Sequence, residues 1–288
     1  MPTYHAADGT PLHYDDSAPG DRPPVIVLAG GAARHPDYLG DLAGLRERHR
    51  LVVPHLRGVG HSPGGLEPER AGSYWQQAGD LEELREQLGR DRLVIAGHSA
   101  GTRLATAYAA RFPERVAGLV LITPPAGHLV GTPPDAEELI ARRRGEPVFD
   151  AAEAAVKSGP DLSGSAAFTA WHRACAPLSY AAWGPAEQAH ARVGEWALPA
   201  VQAYFSVAPP ADFAARLTRV TAPVLVVAGA EDCLTGLAPV VALAGLFPAG
   251  RAEVLPACGH YPWVERPHDF RRVLDEYLSL VEVDHHLG

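Results

Sequence analysis

The sequence predicts an α/β fold with a mostly parallel, twisted central sheet, helices on both faces of that sheet and an inserted helical cap. Short apolar runs alternate with helical stretches over residues 1–122 and again over 220–288. This alternation is typical of a parallel sheet with right-handed crossovers. Over 123–219 the alternation stops, and prolines separate Ala-rich helical stretches. We therefore expect a core formed by 1–122 and 220–288, and a helical cap formed by 123–219.

The composition is that of one large globular unit with an insertion. The chain has 288 residues, 47% of them hydrophobic, which is enough for a sizeable core. Its formal net charge of −9 argues against nucleic acid or an anionic membrane surface as a partner. Three cysteines without C-x-x-C spacing indicate neither a disulfide framework nor a zinc site. Without a signal-peptide pattern or a long apolar run, a cytoplasmic protein is expected.

The first strands are predicted from turn residues and β-branched runs. Residues 4–15 indicate a β-hairpin around Asp8-Gly9, and the continuous apolar run 25–28 indicates a strand buried on both faces. The Gly-rich segment 29–33 follows directly, and such a loop lets the backbone approach a ligand closely. Further elements are then expected as an amphipathic helix over 38–48 and a strand over 51–54.

The loop 57–62 contains two glycines but is not a phosphate-binding loop, because no helix opening with Lys-Ser/Thr follows it. We expect Arg57 to be structural and to bond loop carbonyls. Ser73 and Gln76 then predict a capping box at the start of a helix that Gly89 ends.

The next strand, 93–96, runs into Gly97-His98-Ser99-Ala100-Gly101, and an Ala-rich helix over 102–112 follows. A G-x-S-x-G pattern between a strand and a helix is typical of a sharp turn that exposes a reactive serine hydroxyl. Small residues are needed on both sides of that serine, which takes a strained backbone conformation. The pattern predicts Ser99 as a nucleophile and the N–H of Ala100 as a donor to a developing anion. An ordinary Gly-rich turn is the alternative.

A strand over 116–122 leads into the cap, which is rich in aromatic residues. We expect most of these, which include Trp171, Trp183 and Trp196, to form the core of the cap, and about one in three to line the pocket. The predicted pocket residues, from the cap and the core together, are His98, Trp171, Trp183, Tyr204 and Tyr261.

Two further side chains are predicted beside Ser99. The strand 224–228 runs into Glu231-Asp232, and residues just past the carboxyl ends of parallel strands share one edge of the sheet. Asp232 is the expected acid, with Glu231 as the alternative. His260 lies after the last strand, 252–255, and before the last helix, 266–280, and it is the expected base. Surface positions are expected for His5, His13, His49, His172, His285 and His286.

Taken together, these motifs resemble the α/β-hydrolase fold superfamily over nearly the whole chain. The resemblance is carried by residues 97–101, by Asp232 and by His260, which follow the family's chain order of serine, acid and histidine. Within the superfamily the chain looks most like the prolyl iminopeptidase-like branch, because of Gly30-Gly31, the cap and the helix containing 80–85. It departs from that branch at the loop 29–33, at Ala100, and in a cap without a clear acidic cluster.

The resemblance implies a cofactor-free serine hydrolase without a metal, acting through Ser99, His260 and Asp232 by an acyl-enzyme. The oxyanion would be held by the N–H groups of Ala100 and Gly31, with Ala32 as the next candidate after Gly31. The expected partner is a small, largely apolar ester, lactone, thioester or amide. An aminopeptidase of the prolyl iminopeptidase type, a non-hydrolytic acyl-transfer or cyclisation enzyme, a ligand-binding receptor, and a monomer or a homodimer all remain open.

Overall fold

The computed structural model describes residues 2–64, 66–67 and 71–286, with the backbone alone for 282–286. Within this part of the chain, eight strands form one sheet in the order β1-β2-β4-β3-β5-β6-β7-β8. The strands are β1 (Thr3–His5), β2 (Pro11–Asp16), β3 (Pro24–Leu28), β4 (Arg50–Pro54), β5 (Leu93–His98), β6 (Val116–Ile122), β7 (Val224–Gly229) and β8 (Gly250–Leu255). β2 pairs antiparallel with both of its neighbours, β1 and β4. All the other neighbouring strands, from β4 through β3 to β8 in sheet order, pair parallel. The predicted α/β fold with a mostly parallel sheet is confirmed.

Helices cover both faces of the sheet because strand side chains alternate between the faces. In β3, Ile26 and Leu28 pack with α1 and α2, whereas Val25 and Val27 pack with α11. The helices of the described residues are α1 (Tyr74–Gln87), α2 (Gly101–Arg111), α3 (Ala136–Ala141), α4 (Pro147–Ser158), α5 (Ser165–Cys175), α6 (Pro185–Ala191), α7 (Leu198–Tyr204), α8 (Phe213–Leu217), α9 (Ala238–Leu243), α10 (Pro262–Glu265) and α11 (Pro267–His286). In this part of the chain no helix is long and apolar enough to cross a membrane.

Helices α3 to α8 all lie between β6 and β7, within the range 123–219 that the sequence assigns to the cap. The segment contacts the core through a short antiparallel bridge between Arg34 and Trp196. Backbone bonds from His35 to Glu195 and from Ala197 to Ala33 flank that bridge. The loop after β3 is thereby tied to the segment that precedes α7.

The structure differs from the sequence prediction over residues 38–48, where one amphipathic helix was expected. Two short 3-10 helices, Pro36–Leu39 and Leu45–Glu47, occupy this stretch instead. The cause is local, because Gly40 and Gly44, together with the two residues that precede Gly44, have positive φ angles. Left-handed residues interrupt the helical hydrogen-bond ladder.

Candidate active site

Ser99 sits at the tight turn between β5 and α2 with a φ angle of +50°. The turn is closely packed on both sides. A Cβ atom added to Gly97 would lie 2.9 Å from the carbonyl oxygen of Gly101, and one added to Gly101 would lie 2.5 Å from the carbonyl oxygen of Leu28. Only glycine fits at either position, which is the spatial reason for the G-x-S-x-G pattern.

His260 and Asp232 form a buried pair at the carboxyl ends of the strands. His260 Nδ1 donates to Asp232 Oδ2 at 2.7 Å, and both side chains are almost fully buried. Asp232 also accepts bonds from the backbone N–H of Leu234 at 2.9 Å and from the hydroxyl of Thr235. With Nδ1 committed to the carboxylate, Nε2 is the nitrogen that can take up a proton. Asp232, rather than the alternative Glu231, is the partner of His260.

Ser99 and His260 line the same cavity, which has a volume of about 130 Å³. This is close to the size of an engineered protein cavity that holds one benzene molecule, roughly 150 Å³. Gly31 lines it too, with a φ angle of +66°, whereas Ala32 does not. Within the described residues, the N–H groups of Gly31 and Ala100 have no backbone or side-chain acceptor. Gly31 is therefore better placed than Ala32 to face a bound oxyanion.

A chain of hydrogen bonds links the three loops that meet here. The N–H of Gly30 donates to the Tyr38 hydroxyl at 2.6 Å, and this hydroxyl lies 2.8 Å from His98 Nδ1. His98 Nε2 donates to the backbone carbonyl of His260 at 3.0 Å. These bonds require His98 to be neutral with its proton on Nε2 and Tyr38 to donate to Nδ1. Burial lowers the pKa of His98 well below its ordinary value, which agrees with this assignment.

The predicted pocket residues divide into two groups. His98 and Tyr261 line the cavity, whereas Trp171, Trp183 and Tyr204 are not among the described residues that line it. The hydroxyl of Tyr204 bonds the carbonyl of Ala100 from beneath the turn. Tyr204 is fully buried, whereas Trp171 and Trp183 are half-buried, and the structure places all three outside the lining of this cavity.

The two tryptophans in the second group are held within the cap. Trp171 donates its indole N–H to the carbonyl of Ala155 at 2.9 Å. Trp183 packs against Tyr180, with 5.4 Å between ring centroids.

Other cavity residues were missed or misplaced by the sequence analysis. Arg34, Tyr38 and Trp196 line the cavity, as does His172, which was expected at the surface. His172 stacks on the indole of Trp196 with 4.2 Å between centroids. The sequence feature that could have identified Arg34 is its position directly after the Gly-rich loop that follows β3. His13 and His49, also expected at the surface, are buried, and the side chains of His285 and His286 lie outside the described residues.

Burial controls the charge of the groups around the cavity. It lowers the pKa of His172 and of His190 to about 4, with the charge of Arg34 acting in the same direction. It also raises the pKa of Glu265 to about 7, although three backbone N–H groups oppose this shift. At neutral pH the two imidazoles are therefore uncharged.

Several other residues are structural. Arg57 bonds the carboxylates of Asp80 and Asp8, at 2.7 and 2.9 Å, rather than the loop carbonyls that were expected. Burial raises the pKa of the Cys233 thiol to about 11, so this neighbour of Asp232 is a packing residue at neutral pH. Among the described residues, no group of three or more His, Cys, Asp or Glu side chains is placed to hold a metal ion.

The architecture and the position of the cavity define an α/β enzyme whose site lies at the carboxyl ends of a parallel sheet. A family model described as the alpha/beta hydrolase fold matches residues 23–267. The chain belongs to the α/β-hydrolase fold family, and it is a hydrolase-type enzyme.

Several known proteins similar to this chain are named as hydrolases. A protein of Variovorax paradoxus named as a candidate carbamate hydrolase, RutD, is 30% identical over 280 residues, 94% of this chain and 97% of that relative. Proline iminopeptidase of Lactobacillus delbrueckii subsp. lactis is 26% identical over 288 residues, 90% of each chain. The structure of a Rhodococcus esterase has a TM-score of 0.72 at 22% identity, covering 96% of this chain and 98% of that one. The last likeness concerns the fold alone.

Proposed function

We propose that this protein is a serine hydrolase in which Ser99, His260 and Asp232 cleave an ester-type bond of a small substrate. The observation that supports this most is the buried bond of 2.7 Å between His260 Nδ1 and Asp232 Oδ2, in a histidine that shares a cavity with Ser99. A serine on a strained turn, an imidazole and an orienting carboxylate are the three parts of a nucleophilic acyl-transfer site.

In the proposed reaction, Ser99 Oγ attacks the substrate carbonyl carbon while His260 Nε2 takes the hydroxyl proton. Asp232 stabilises the imidazolium that forms. The N–H groups of Ala100 and Gly31 donate to the oxyanion, and one such donor typically contributes about 3 kcal/mol. As the tetrahedral adduct collapses, His260 returns the proton to the leaving group. Water then attacks the acyl carbon while His260 takes one of its protons. The second adduct collapses as His260 returns that proton to Ser99 Oγ, which releases the acid and restores the enzyme.

The cavity volume limits the substrate to a small acyl group, about the size of one aromatic ring. Esters, lactones, thioesters and amides all present the required carbonyl carbon. A carbamate presents it as well, and a relative aligned along almost the whole chain is named for carbamate hydrolysis. Esters are the class that we favour, because they need no distortion of an amide nitrogen before the leaving group departs.

The test is turnover of p-nitrophenyl esters with acyl chains of two to eight carbons by the wild-type protein and Ser99→Ala. We expect the shortest chains to be cleaved best and Ser99→Ala to lose at least about 10³-fold in kcat. Ser158→Ala, an exposed serine on α4, is the matched control and should retain wild-type rates. Undiminished turnover by Ser99→Ala would exclude Ser99 as the nucleophile.

Aminopeptidase activity is the second candidate, because proline iminopeptidase is among the relatives. An aminopeptidase must bind a substrate ammonium group, and carboxylates usually do so. Among the described cavity residues the charged group is Arg34, which repels an ammonium. We therefore expect no turnover of prolyl-β-naphthylamide under conditions in which short esters are cleaved, and rapid release of naphthylamine would favour the aminopeptidase instead.

A further inference from the structure

Arg34 places a buried positive charge in the wall of the cavity. The relative exposure of Arg34 is 2%, so the residue is 98% buried. Nε and Nη2 both donate to the carbonyl of Val193, Nη2 also reaches the carbonyl of His190, and Nη1 donates to the Tyr261 hydroxyl at 3.0 Å. All of these acceptors are neutral. Of the five guanidinium N–H groups, one on Nη1 has no partner within the part of the chain that the structure describes.

The part of the chain that the structure describes offers this guanidinium no carboxylate partner. The carboxylate of Asp232 is bonded to His260, and that of Glu265 accepts backbone N–H groups of Ala181 and Gly259. The guanidinium instead lies between the rings of Tyr38 and Trp196, 4.3 and 4.5 Å from their centroids. A buried charge without a counter-ion is costly, so its retention here calls for an anionic ligand.

Trp196 provides a second, independent observation. Trp196 has a relative exposure of 6%, and its buried indole Nε1 has no hydrogen-bond partner among the described residues. It lies against the predicted oxyanion loop, because a Cβ atom added to Gly31 would be 2.6 Å from this nitrogen. By contrast, the indole N–H of Trp171 is satisfied by the carbonyl of Ala155. An unpaired N–H and an unpaired cation thus share the Ser99 cavity.

Arg34 also fastens the cap, since its bonds to the Val193 carbonyl accompany the bridge between Arg34 and Trp196. That role explains the position of the side chain but not its charge, because carbonyls accept equally well from a neutral amide. The orphaned indole N–H takes no part in fastening the cap. A purely structural role therefore leaves both the charge and the free donor unexplained.

We infer that Arg34 and Trp196 form a subsite for a substrate carboxylate. The substrates of this enzyme are then small molecules that carry both a free carboxylate and an ester-type carbonyl group, and the enzyme cleaves at the latter. The carboxylate accepts the free Nη1–H and the indole N–H. The scissile carbonyl, a few bonds away within a cavity of about 130 Å³, meets Ser99. The inference rests on the proposed serine hydrolase and specifies its substrate class.

The test compares two esters of equal size that differ in charge. Monomethyl succinate carries a carboxylate where methyl 4-methylpentanoate carries an isopropyl group. We expect the wild-type kcat/KM to be at least about 10-fold higher for the anionic ester, as suits a charge-assisted hydrogen bond. Equal or better cleavage of the neutral ester would overturn the inference.

Substitutions of Arg34 and Trp196 locate the effect. Arg34→Gln should lower kcat/KM for monomethyl succinate by about 10- to 100-fold, mainly through KM, and change the neutral ester by less than about threefold. Arg34→Lys should restore part of the preference. Trp196→Phe should cost the anionic ester roughly fivefold, while the control Trp171→Phe keeps the wild-type preference.

Equal losses on both esters in Arg34→Gln would show that Arg34 serves the cap or the oxyanion and would overturn the inference. If that variant does not fold, the wild-type preference and Trp196→Phe still decide the question. Failure of the proposed function looks different, because neither ester would be cleaved and Ser99 would not react with a fluorophosphonate.

Discussion

At the scale of single residues, the backbone of Ser99 is the feature on which the site depends. A non-glycine residue at a φ angle of +50° is strained by about 1–3 kcal/mol. The neighbouring structure offsets this strain. The N–H of Ser99 donates to the carbonyl of Ile122 at 2.9 Å, and its own carbonyl accepts from the N–H and the hydroxyl of Thr102. The turn is thus held from the adjacent strand and from the first turn of α2.

Gly101→Ala tests this packing. The added methyl group would lie 2.5 and 2.6 Å from the backbone carbonyl oxygens of Leu28 and Ala29, which cannot move without displacing the end of β3. We expect the free energy of unfolding to fall by about 1–3 kcal/mol or more and ester turnover to fall at least about 10-fold. Urea denaturation and initial rates measure the two effects.

Gly79→Ala is the matched control, because it makes the same change in the middle of α1. The nearest atom to the added Cβ would be Arg111 Nη2 at 3.9 Å, so there is room for it. Replacing a mid-helix glycine by alanine should raise stability by about 0.5–1 kcal/mol without altering turnover. If Gly101→Ala and Gly79→Ala changed the stability and the ester turnover equally, the account of the turn would be contradicted.

At the scale of elements, Tyr38 and His98 connect three segments that are distant in sequence. They join the loop after β3, the turn after β5 and the loop after β8 through consecutive hydrogen bonds. Thr123, just after β6, adds a further bond to the carbonyl of His260 at 3.0 Å. The position of His260 relative to Gly30 and Ser99 is therefore set by side chains that need not contact the reacting atoms.

Tyr38→Phe should remove the hydrogen bonds that join these segments while leaving the aromatic ring in place. It deprives the Gly30 N–H and His98 Nδ1 of their partner, and burying unpaired groups should cost about 1–3 kcal/mol of stability. We expect kcat to fall about 10-fold, since small displacements of reacting groups are costly, while KM changes little. The kinetic constants for a short p-nitrophenyl ester measure this.

Tyr108→Phe removes a hydroxyl bonded to Glu82, between α2 and α1, and serves as the control. It should lower stability without the tenfold loss of kcat. If Tyr38→Phe retained the wild-type kcat, the three segments would not depend on this chain of bonds.

At the scale of the whole molecule, the sequence predicts the sheet, and it singles out three residues that the structure brings together, because their signals are local. Ser99 stands between a strand and a helix with glycines at fixed spacing, and Asp232 and His260 each follow a strand. The Arg34–Trp196 contact carries no such signal, because it exists only where the cap meets the loop after β3. The break at 38–48 was missed because Leu42 and Ala43 have positive φ angles, which their sequence does not indicate.

Buried histidines make the whole fold sensitive to acid. Burial lowers the pKa of His128, His172 and His190 to about 4, from 6.5, and it lowers the pKa of His98 well below 6.5. Below pH 6.5 the unfolded chain binds protons that the folded chain does not. The stability present above pH 6.5 is therefore lost as the pH falls towards 4. Glu265, whose pKa is raised to about 7, has the opposite effect. Between pH 4.5 and 7 the folded chain binds a proton there that the unfolded chain does not, so this group adds stability as the pH falls.

His172→Phe should reduce this acid sensitivity, because phenylalanine keeps the stacking on Trp196 and does not titrate. From the shift of its pKa to about 4, we expect the variant to lose roughly 2–3 kcal/mol less than the wild type between pH 7 and 4. Urea midpoints across this pH range provide the measurement. An identical dependence of stability on pH in both proteins would contradict this, because it would mean that His172 binds its proton equally well in the folded and unfolded states.

Reaction with a fluorophosphonate, followed by intact mass and peptide mapping, tests the proposed triad most directly. The account predicts one covalent adduct per chain, located on Ser99, with labelling slowed by several orders of magnitude when His260 is replaced by Ala. Folding would be verified by circular dichroism. Labelling of a residue other than Ser99, or an unchanged rate in His260→Ala, would contradict it.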